Sequence, residues 1–351
     1  MSVVSPYGLG ARAFGEGIRS GRRALTAADE GSPYSEAGTV DTSALHELLA
    51  EDCELTNRSQ RFMGRPAGLA VGALTLLVRE HSLAEFGPAE RALVLGGDLT
   101  TIDRAMDLMG DSLTEKLPYQ VDAKQLPSTA MNFPATQCAV LFGFQGPNST
   151  ITAGRVTGLS VLNYARRLHR AGRGPMAVAG AVEDLNPRRS WLAWHGLAGA
   201  QPRPLGEGCC LFLTETPESA AAHGRTPLAR VLSLEFAAAL APADRPAALE
   251  ACLRRALRKA EVDPSSVDLA VLSGADGGTE RTAVSTVLGP AVRALCPTEL
   301  IGDTAGASGA FGVAAALSDP SAEVAVLTAL DPDGQLGCAV LRVLSHPTEG
   351  A

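Results

Sequence analysis

The sequence predicts an α/β protein in which short buried strands alternate with helices, and three observations carry that reading. Compact apolar runs recur at Arg91–Leu95, Ala177–Gly180, Cys209–Thr214, Leu269–Leu272, Glu323–Leu327 and Cys338–Val343. Helix-length segments separate most of them, the pattern of mainly parallel sheets. With 37 Gly, abundant Ala and only 4% aromatics, the chain also has the small residues that let helices pack closely on sheets.

Taken in order, the first 40 residues, rich in Gly, Ser and Arg, and the last six (HPTEGA) read as exposed or loosely held chain. Leu45–Ala50 predicts a short apolar helix and Ala67–Glu80 a stronger one. Arg91–Leu95 stops at Gly96-Gly97, as a buried strand does. Ser149–Ala153 predicts a strand and Gly154-Arg155 a tight turn. A helix follows, with Val156, Leu159, Leu162, Ala165 and Leu168 on one face, and then a strand at Ala177–Gly180. Residues 148–172 and 299–317 share a layout of Gly-rich turn and apolar helix, which predicts a structural duplication without a letter-by-letter repeat. The polar, Pro/Gly-punctuated segment Glu215–Thr226 would join the halves, placed at 1–220 and 221–351.

Composition excludes several classes. Hydrophobic residues make up 46% against 19% charged, so the chain is not disordered. A net charge of −8 without a basic block excludes nucleic acid as a partner. Runs such as Ala310–Leu317 fall short of the roughly 20 residues of a bilayer span, and no signal layout opens the chain, so no membrane association and a cytoplasmic location are expected. Seven cysteines, an odd number without C-x-x-C spacing, and six scattered histidines predict reduced core thiols, no disulfide framework and no metal site. No cofactor is expected.

The most informative stretch is Phe144–Glu183, FQGPNSTITAGRVTGLSVLNYARRLHRAGRGPMAVAGAVE. Through Gly146, Pro147, Ile151, Thr157, Gly158 and Gly180 it resembles the β-ketoacyl synthase family of the thiolase fold. There a G-P-x-x-x-I-x-T-A-C-x-[ST]-G segment sets a nucleophilic cysteine on the turn entering a helix, whose amides stabilise a thiolate and an oxyanion. Val4-Ser5-Pro6-Tyr7-Gly8 is similar to the family's early turn, and Pro127–Asn132 to its dimer-interface segment. Gly206-Glu207-Gly208 is similar to its G-E-G strand entry, and Gly302–Gly309 (GDTAGASG) to its G-H-x-x-G-A-A-G helix start. The resemblance implies duplicated α/β halves in a five-layered αβαβα arrangement. Because the chain begins almost at the Ser5-Pro6 turn, the family's first strand is expected to be missing or supplied differently.

The departures fall on the chemistry. In this alignment Arg155 stands at the cysteine position, Asp303 at one catalytic histidine and Thr298 at the lysine before it. The other histidine falls near Ser273 in VLSGADGGTE, and Asp331-Pro332-Asp333-Gly334 replaces the G-F-G-G gate. An arginine cannot attack a thioester, and condensation in this family needs the thiolate and both histidines. With no catalytic residue left at these positions, the chain is most similar to chain length factors, the ketosynthase β subunits of type II polyketide synthases. That resemblance implies a non-catalytic subunit paired with a catalytic ketosynthase, shaping the tunnel for an acyl chain carried by an acyl carrier protein. Chain length factors commonly carry glutamine where Arg155 stands.

By that analogy Thr129, Met131, Asn132, Phe133 and Thr136 are candidates for the tunnel wall or interface, with ordinary core packing as the alternative. Arg166, Arg167 and Arg170 could guide an acidic carrier protein, or form a solvated helix end suited to cations. A cation at a helix N-terminus is opposed by the helix dipole. Arg155 is therefore expected either to pair with Asp303 or to point to an interface or solvent while Asp303 caps the helix 304–317. Cys209 and Cys210, in the apolar run CCLFLTE, are expected to be buried and inert. Two competing functions remain open: a stand-alone acyltransferase or hydrolase with a rebuilt site, and a non-catalytic homodimeric acyl-binding protein.

Overall fold

The computed structural model describes residues 1–53, 55–197, 201–274 and 278–346. Two large sheets dominate it. The first runs β2 (Gly8–Leu9), β1 (Ser2–Ser5), β9 (Gly208–Glu215), β7 (Met176–Glu183), β5 (Arg91–Gly96), β6 (Asn148–Ile151). The second runs β10 (Ala229–Ala238), β14 (Gln335–Val343), β13 (Val324–Leu330), β11 (Leu269–Val271), β12 (Arg293–Leu295). A small sheet, β3 (Thr26–Ala27), β4 (Glu36–Gly38) and β8 (Leu205–Gly206), lies to one side.

Leaving aside the edge hairpin strand β2, the two sheets have one topology. Within each half the strands lie in the order first, fifth, fourth, second, third of that half. The pairing senses also agree. The first pairs antiparallel with the fifth and the fifth with the fourth, while fourth, second and third are parallel. This repeat was visible in sequence only as a shared layout, because topology is kept by burial pattern rather than by residue identity.

Helices complete the layers. Outside the first sheet lie α3 (Asn57–Glu80), with α2 (Thr42–Asp52) beside it, and α5 (Phe133–Phe142). Between the sheets lie α6 (Thr157–Arg170) and α12 (Ser308–Ser318), with α1 (Ala11–Ser20) against α12. Outside the second sheet lie α9 (Arg245–Ala260) and α10 (Thr279–Leu288). The result is the five-layered αβαβα thiolase-like fold.

Strand residues alternate between cores: Leu93 and Leu95 face α3, while Ala92 and Val94 face the central layer. Both faces are covered, so these strands read as continuous apolar runs rather than as alternation. The central layer is thin because small residues line it. Gly158 on α6 lies against Gly309 and Ala310 on α12, where a Cβ would strike backbone.

Five expectations need correction. The sheets are mixed rather than mainly parallel: β13 and β14 are joined by the tight Asp331–Gly334 turn, and a connection that short permits only antiparallel pairing. Residues 1–18 are not loose, since Val3 and Val4 are fully buried in the first sheet and Phe14 of α1 packs on Phe311, whereas residues 19–36 are exposed or half-buried as expected. The family's first strand is present as β1, held between β2 and β9. The connection Glu215–Thr226 contains a short helix, α8 (Pro217–Ala222), capped by the Thr216 hydroxyl. The predicted helix at Ala67 starts earlier, at Asn57, and bends at Gly64, where φ is +74°. Of the C-terminal tail, residues 347–351 lie outside the described residues.

Candidate functional site

The site forms where the two central helices begin. After β6, Gly154 takes a left-handed φ of +52°, and a single 3-10 turn, Gly154–Val156, leads into α6. A side chain at Gly154 would run into the Asp331 carboxylate. That carboxylate, buried in the β13–β14 turn, accepts the Arg155 backbone N–H at 2.8 Å. The Thr157 hydroxyl accepts the Ala153 N–H, also at 2.8 Å. An anion from the other half of the molecule thus meets the positive end of α6.

The Arg155 guanidinium reaches across to Asp303 and forms an ion pair through Nη2. Both side chains are largely buried, 16% and 11% exposed. The second Asp303 oxygen accepts the Ala305 N–H at 2.9 Å, so Asp303 pairs with Arg155 and also caps the turn leading into α12. Burial works against charge on both groups. Each partner outweighs that penalty for the other, so the Asp303 carboxyl is held below its ordinary pKa and the Arg155 guanidinium above its own. At the turn entering α6 the chain thus holds two charges locked on each other. Arg155 Nε is buried without a partner among the described residues.

Around the pair lies a shell that sequence reading missed. Arg189, on α7 (Pro187–His195), is almost fully buried and donates to the carbonyls of Asp184 (2.5 Å), Gly206 (2.9 Å) and Asp303 (2.8 Å). Glu183, at the end of β7, accepts the N–H groups of Asp98, Leu99 and Gly306. Burial pushes its carboxyl up to about 8, and that of Asp184 up to about 7. Glu207 of the G-E-G entry binds Arg65 and the amides of Val40 and Leu185. The one hint in the sequence was a carboxylate pair, Glu183-Asp184, ending an otherwise apolar strand.

Ser273 and Thr298 belong to a second hydrogen-bond network, centred on Glu280. The Ser273 hydroxyl donates to Glu280 at 3.0 Å and accepts the Leu330 N–H at 3.2 Å. Thr298 donates to the Ser273 carbonyl at 2.7 Å, and Thr328 to Glu280 at 2.8 Å. Burial raises the Glu280 pKa, and Ser273 is itself buried. Part of the loop after Ser273, residues 275–277, lies outside the described residues.

The five tunnel or interface candidates do not share one environment. Phe133 is buried at the start of α5, its ring edge-on to Phe62 with centroids 6.3 Å apart. Met131, Asn132 and Thr136 are exposed, and Thr129 is half-buried with its hydroxyl on the Leu126 carbonyl. Large apolar side chains are also exposed on the neighbouring elements: Met109 (64% exposed) and Leu113 (82%) on α4 (Ile102–Thr114), then Tyr119 (76%), and Val140 (72%) on α5. β6, next to α5 in sequence, is the open edge of the first sheet. Arg167 and Arg170 are exposed at the end of α6, while Arg166 is half-buried and donates to Asn163. Cys209 and Cys210 are fully buried, with pKa values driven far up by burial. Among the described residues no group of three potential metal ligands occurs, and no helix is long and apolar enough to cross a membrane.

The comparisons agree with this fold. The family model for the beta-ketoacyl synthase N-terminal domain matches residues 1–203. Nodulation protein E of Rhizobium leguminosarum bv. trifolii is 26% identical over 309 residues, 80% of this chain and 74% of that protein. The 3-oxoacyl-[acyl-carrier-protein] synthase 2 of Vibrio harveyi is 25% identical over 45% of this chain. In that match and one other the chain spans less than half of the curated relative, 42% and 43%. A structure described as the ishigamide ketosynthase/chain length factor superposes with a TM-score of 0.87 and 34% identity, covering 98% of both chains. A beta-ketoacyl synthase from Burkholderia phymatum STM815, at 16% identity and TM-score 0.81 over 98% of both chains, shares the fold. The chain, matched over residues 1–203 by that family model, belongs to the beta-ketoacyl synthase family.

Proposed function

We propose that this chain is a non-catalytic, chain-length-factor-like subunit. It pairs with a catalytic ketosynthase and shapes the tunnel for an acyl chain growing on an acyl carrier protein, in type II polyketide assembly of the aromatic or polyene kind. The observation that carries the reading is the Arg155–Asp303 ion pair, which occupies the positions where the family places its nucleophile and a catalytic histidine. A guanidinium is neither a nucleophile nor a usable base at neutral pH, and a carboxylate held below its ordinary pKa has no proton to give.

The partner surface is supported by α4, α5 and the open edge of β6. Exposed Met109, Leu113, Tyr119 and Val140 are large apolar side chains of the kind an interaction site would bury. The ishigamide complex is named for both a ketosynthase and a chain length factor, which fits this division of labour. Arg166, Arg167 and Arg170 are the proposed guides for the acidic carrier protein. Thr129, Met131, Asn132, Phe133 and Thr136 are the proposed tunnel-wall or interface residues, Phe133 from its buried place at the start of α5.

The test is the native mass of the chain co-expressed with a ketosynthase encoded beside it, by light scattering after size exclusion. A one-to-one complex that elongates malonyl units, where this chain alone does not, is the expected result. A homodimer with no affinity for the ketosynthase would favour the acyl-binding reading. Turnover of an acyl thioester by the isolated chain would favour a rebuilt enzyme.

A further inference from the structure

We propose that the bend of α3 against α2 is a binding site for a free medium-chain carboxylic acid. Its carboxylate is held by Arg61 and Arg65, and its apolar chain lies along Val40, Leu45, Leu49 and Leu185. The inference goes beyond the subunit reading and does not depend on it, because none of Thr129, Met131, Asn132, Phe133 and Thr136 lines this cavity.

The cavity has a volume of about 700 Å³, within the roughly 300–1,000 Å³ of small-molecule sites. Local sequence creates it. α2 seats on α3 where Gly72 leaves room for Leu45, whose Cδ1 lies 2.6 Å from where a Cβ would stand, and where Gly68 faces Leu49. Two turns before Gly72, Gly64 takes its left-handed φ and α3 bends. On the other side of the bend Gln60 ties α3 back to α2, donating to the His46 carbonyl at 3.2 Å and the Leu55 carbonyl at 3.1 Å. The two helices are thus joined above and below the bend, and the space at the bend itself stays open.

The charges on its walls are unequally committed. Glu207 spends both carboxylate oxygens: Oε1 accepts the Val40 N–H and Arg65 Nη2, and Oε2 accepts Arg65 Nε and the Leu185 N–H. It is saturated, and its side chain is only 2% exposed. Arg65 is not saturated. Nε donates to Glu207, Nη2 to Glu207 and the Val40 carbonyl, and Nη1 to the Thr42 hydroxyl at 2.9 Å. A guanidinium has five N–H groups, so one on Nη1 is left over, on a side chain 25% exposed that lines the cavity.

Arg61 stands exposed on the same rim, with no ion-pair partner among the described residues. A carboxylate bridging these two guanidiniums would make charge-assisted hydrogen bonds to both. Asp29, the other acid on the wall, is exposed and lies on the side that adjoins a smaller cavity lined by Tyr34. Polarity therefore runs from Arg61 to Asp29 and sets the acid with its carboxylate at the α3 end. Val40, Leu45 and Leu49 are buried and Leu185 half-buried, which gives the chain of the acid an apolar wall to cover.

The experiment titrates octanoate into the purified full-length chain by calorimetry. The expected result is one saturable site that weakens as salt is raised. Arg61→Glu, which turns attraction at the rim into repulsion, should weaken it about tenfold or more while circular dichroism stays unchanged. Octanol and octylammonium, which lack the anion, should not compete. An octanoate carrying a diazirine, displaced by octanoate, should label the unmodified chain within residues 39–49 and 60–68. No saturable binding, or competition by octylammonium equal to that of octanoate, would overturn the proposal. Label found instead on residues 129–136 or beside Arg155 would also overturn it, and would at the same time support the tunnel reading, so the two stand or fall separately. Because the labelling uses the unmodified chain, it decides the location even if the variant folds poorly.

Discussion

Replacing Arg155 by Met would leave the Asp303 carboxylate, on a side chain 11% exposed, with the Ala305 N–H as its remaining side-chain bond. Breaking one side of a largely buried pair costs about 3–5 kcal/mol, because the other charge stays desolvated and unpaired. Asp303→Asn strands the guanidinium in the same way, and Arg155 already carries one orphaned N–H. The double variant removes both charges and should cost clearly less than the sum, leaving a coupling energy of about 2–3 kcal/mol. Urea unfolding is the assay, since guanidinium salts would screen the pair. The pH dependence follows from the depressed Asp303 pKa. The pair's contribution is complete above the unfolded carboxyl value and is lost only as pH falls through the lower folded value. Coupling should therefore be unchanged from pH 5 to pH 8. Single variants each costing under about 1 kcal/mol, and adding without coupling, would refute the reasoning and reduce the pair to a solvent-screened contact.

On the proposed reading Arg155→Cys should not confer condensation, because that reading assigns Asp303 and Ser273 to the positions of the two histidines; formation of a β-ketoacyl product from malonyl and acyl thioesters would contradict this. Leu113→Asp, on the exposed face of α4, should abolish co-purification with the ketosynthase while circular dichroism of the chain itself stays unchanged; an intact complex would move the interface elsewhere. Glu183 is raised to about 8 by burial, so the folded state holds its proton where the unfolded state has lost it, and stability should fall as pH rises from about 5 towards 8. Glu183→Gln should flatten that fall by up to about 1.4 kcal/mol per pH unit; equal slopes in urea titrations of the two proteins would count against it. Phe133→Ala should lengthen the products of the complex, and at a buried ring in contact with Phe62 it should also cost about 3 kcal/mol of stability; products of unchanged length would remove Phe133 from the tunnel wall.

The landmarks of the family could be read from the sequence because they are local. Gly154, Arg155, Thr157 and Gly158 follow one another through a turn and into a helix, and that order is visible in the letters alone. The buried strands could be read as well, since a strand covered on both faces is apolar throughout, as β7 and β9 are. Edge and short strands could not. β10 carries only three fully covered residues among ten, and β1 opens a segment whose Gly and Arg content reads as loose chain.

Where Arg155 points was decided only in three dimensions. A guanidinium beside the positive end of α6 is unfavourable in isolation, and sequence left it equally free to face solvent or an interface. Its two anions come from far along the chain: Asp303 at the turn before α12, and Asp331 in the β13–β14 turn. They reach it because the duplicated halves set their central helices against each other at Gly158 and Gly309, which brings the two turns together. Sequence by itself put an arginine at the turn entering α6. The tertiary structure decided what it pairs with, because a buried charge persists only where the fold supplies its partner.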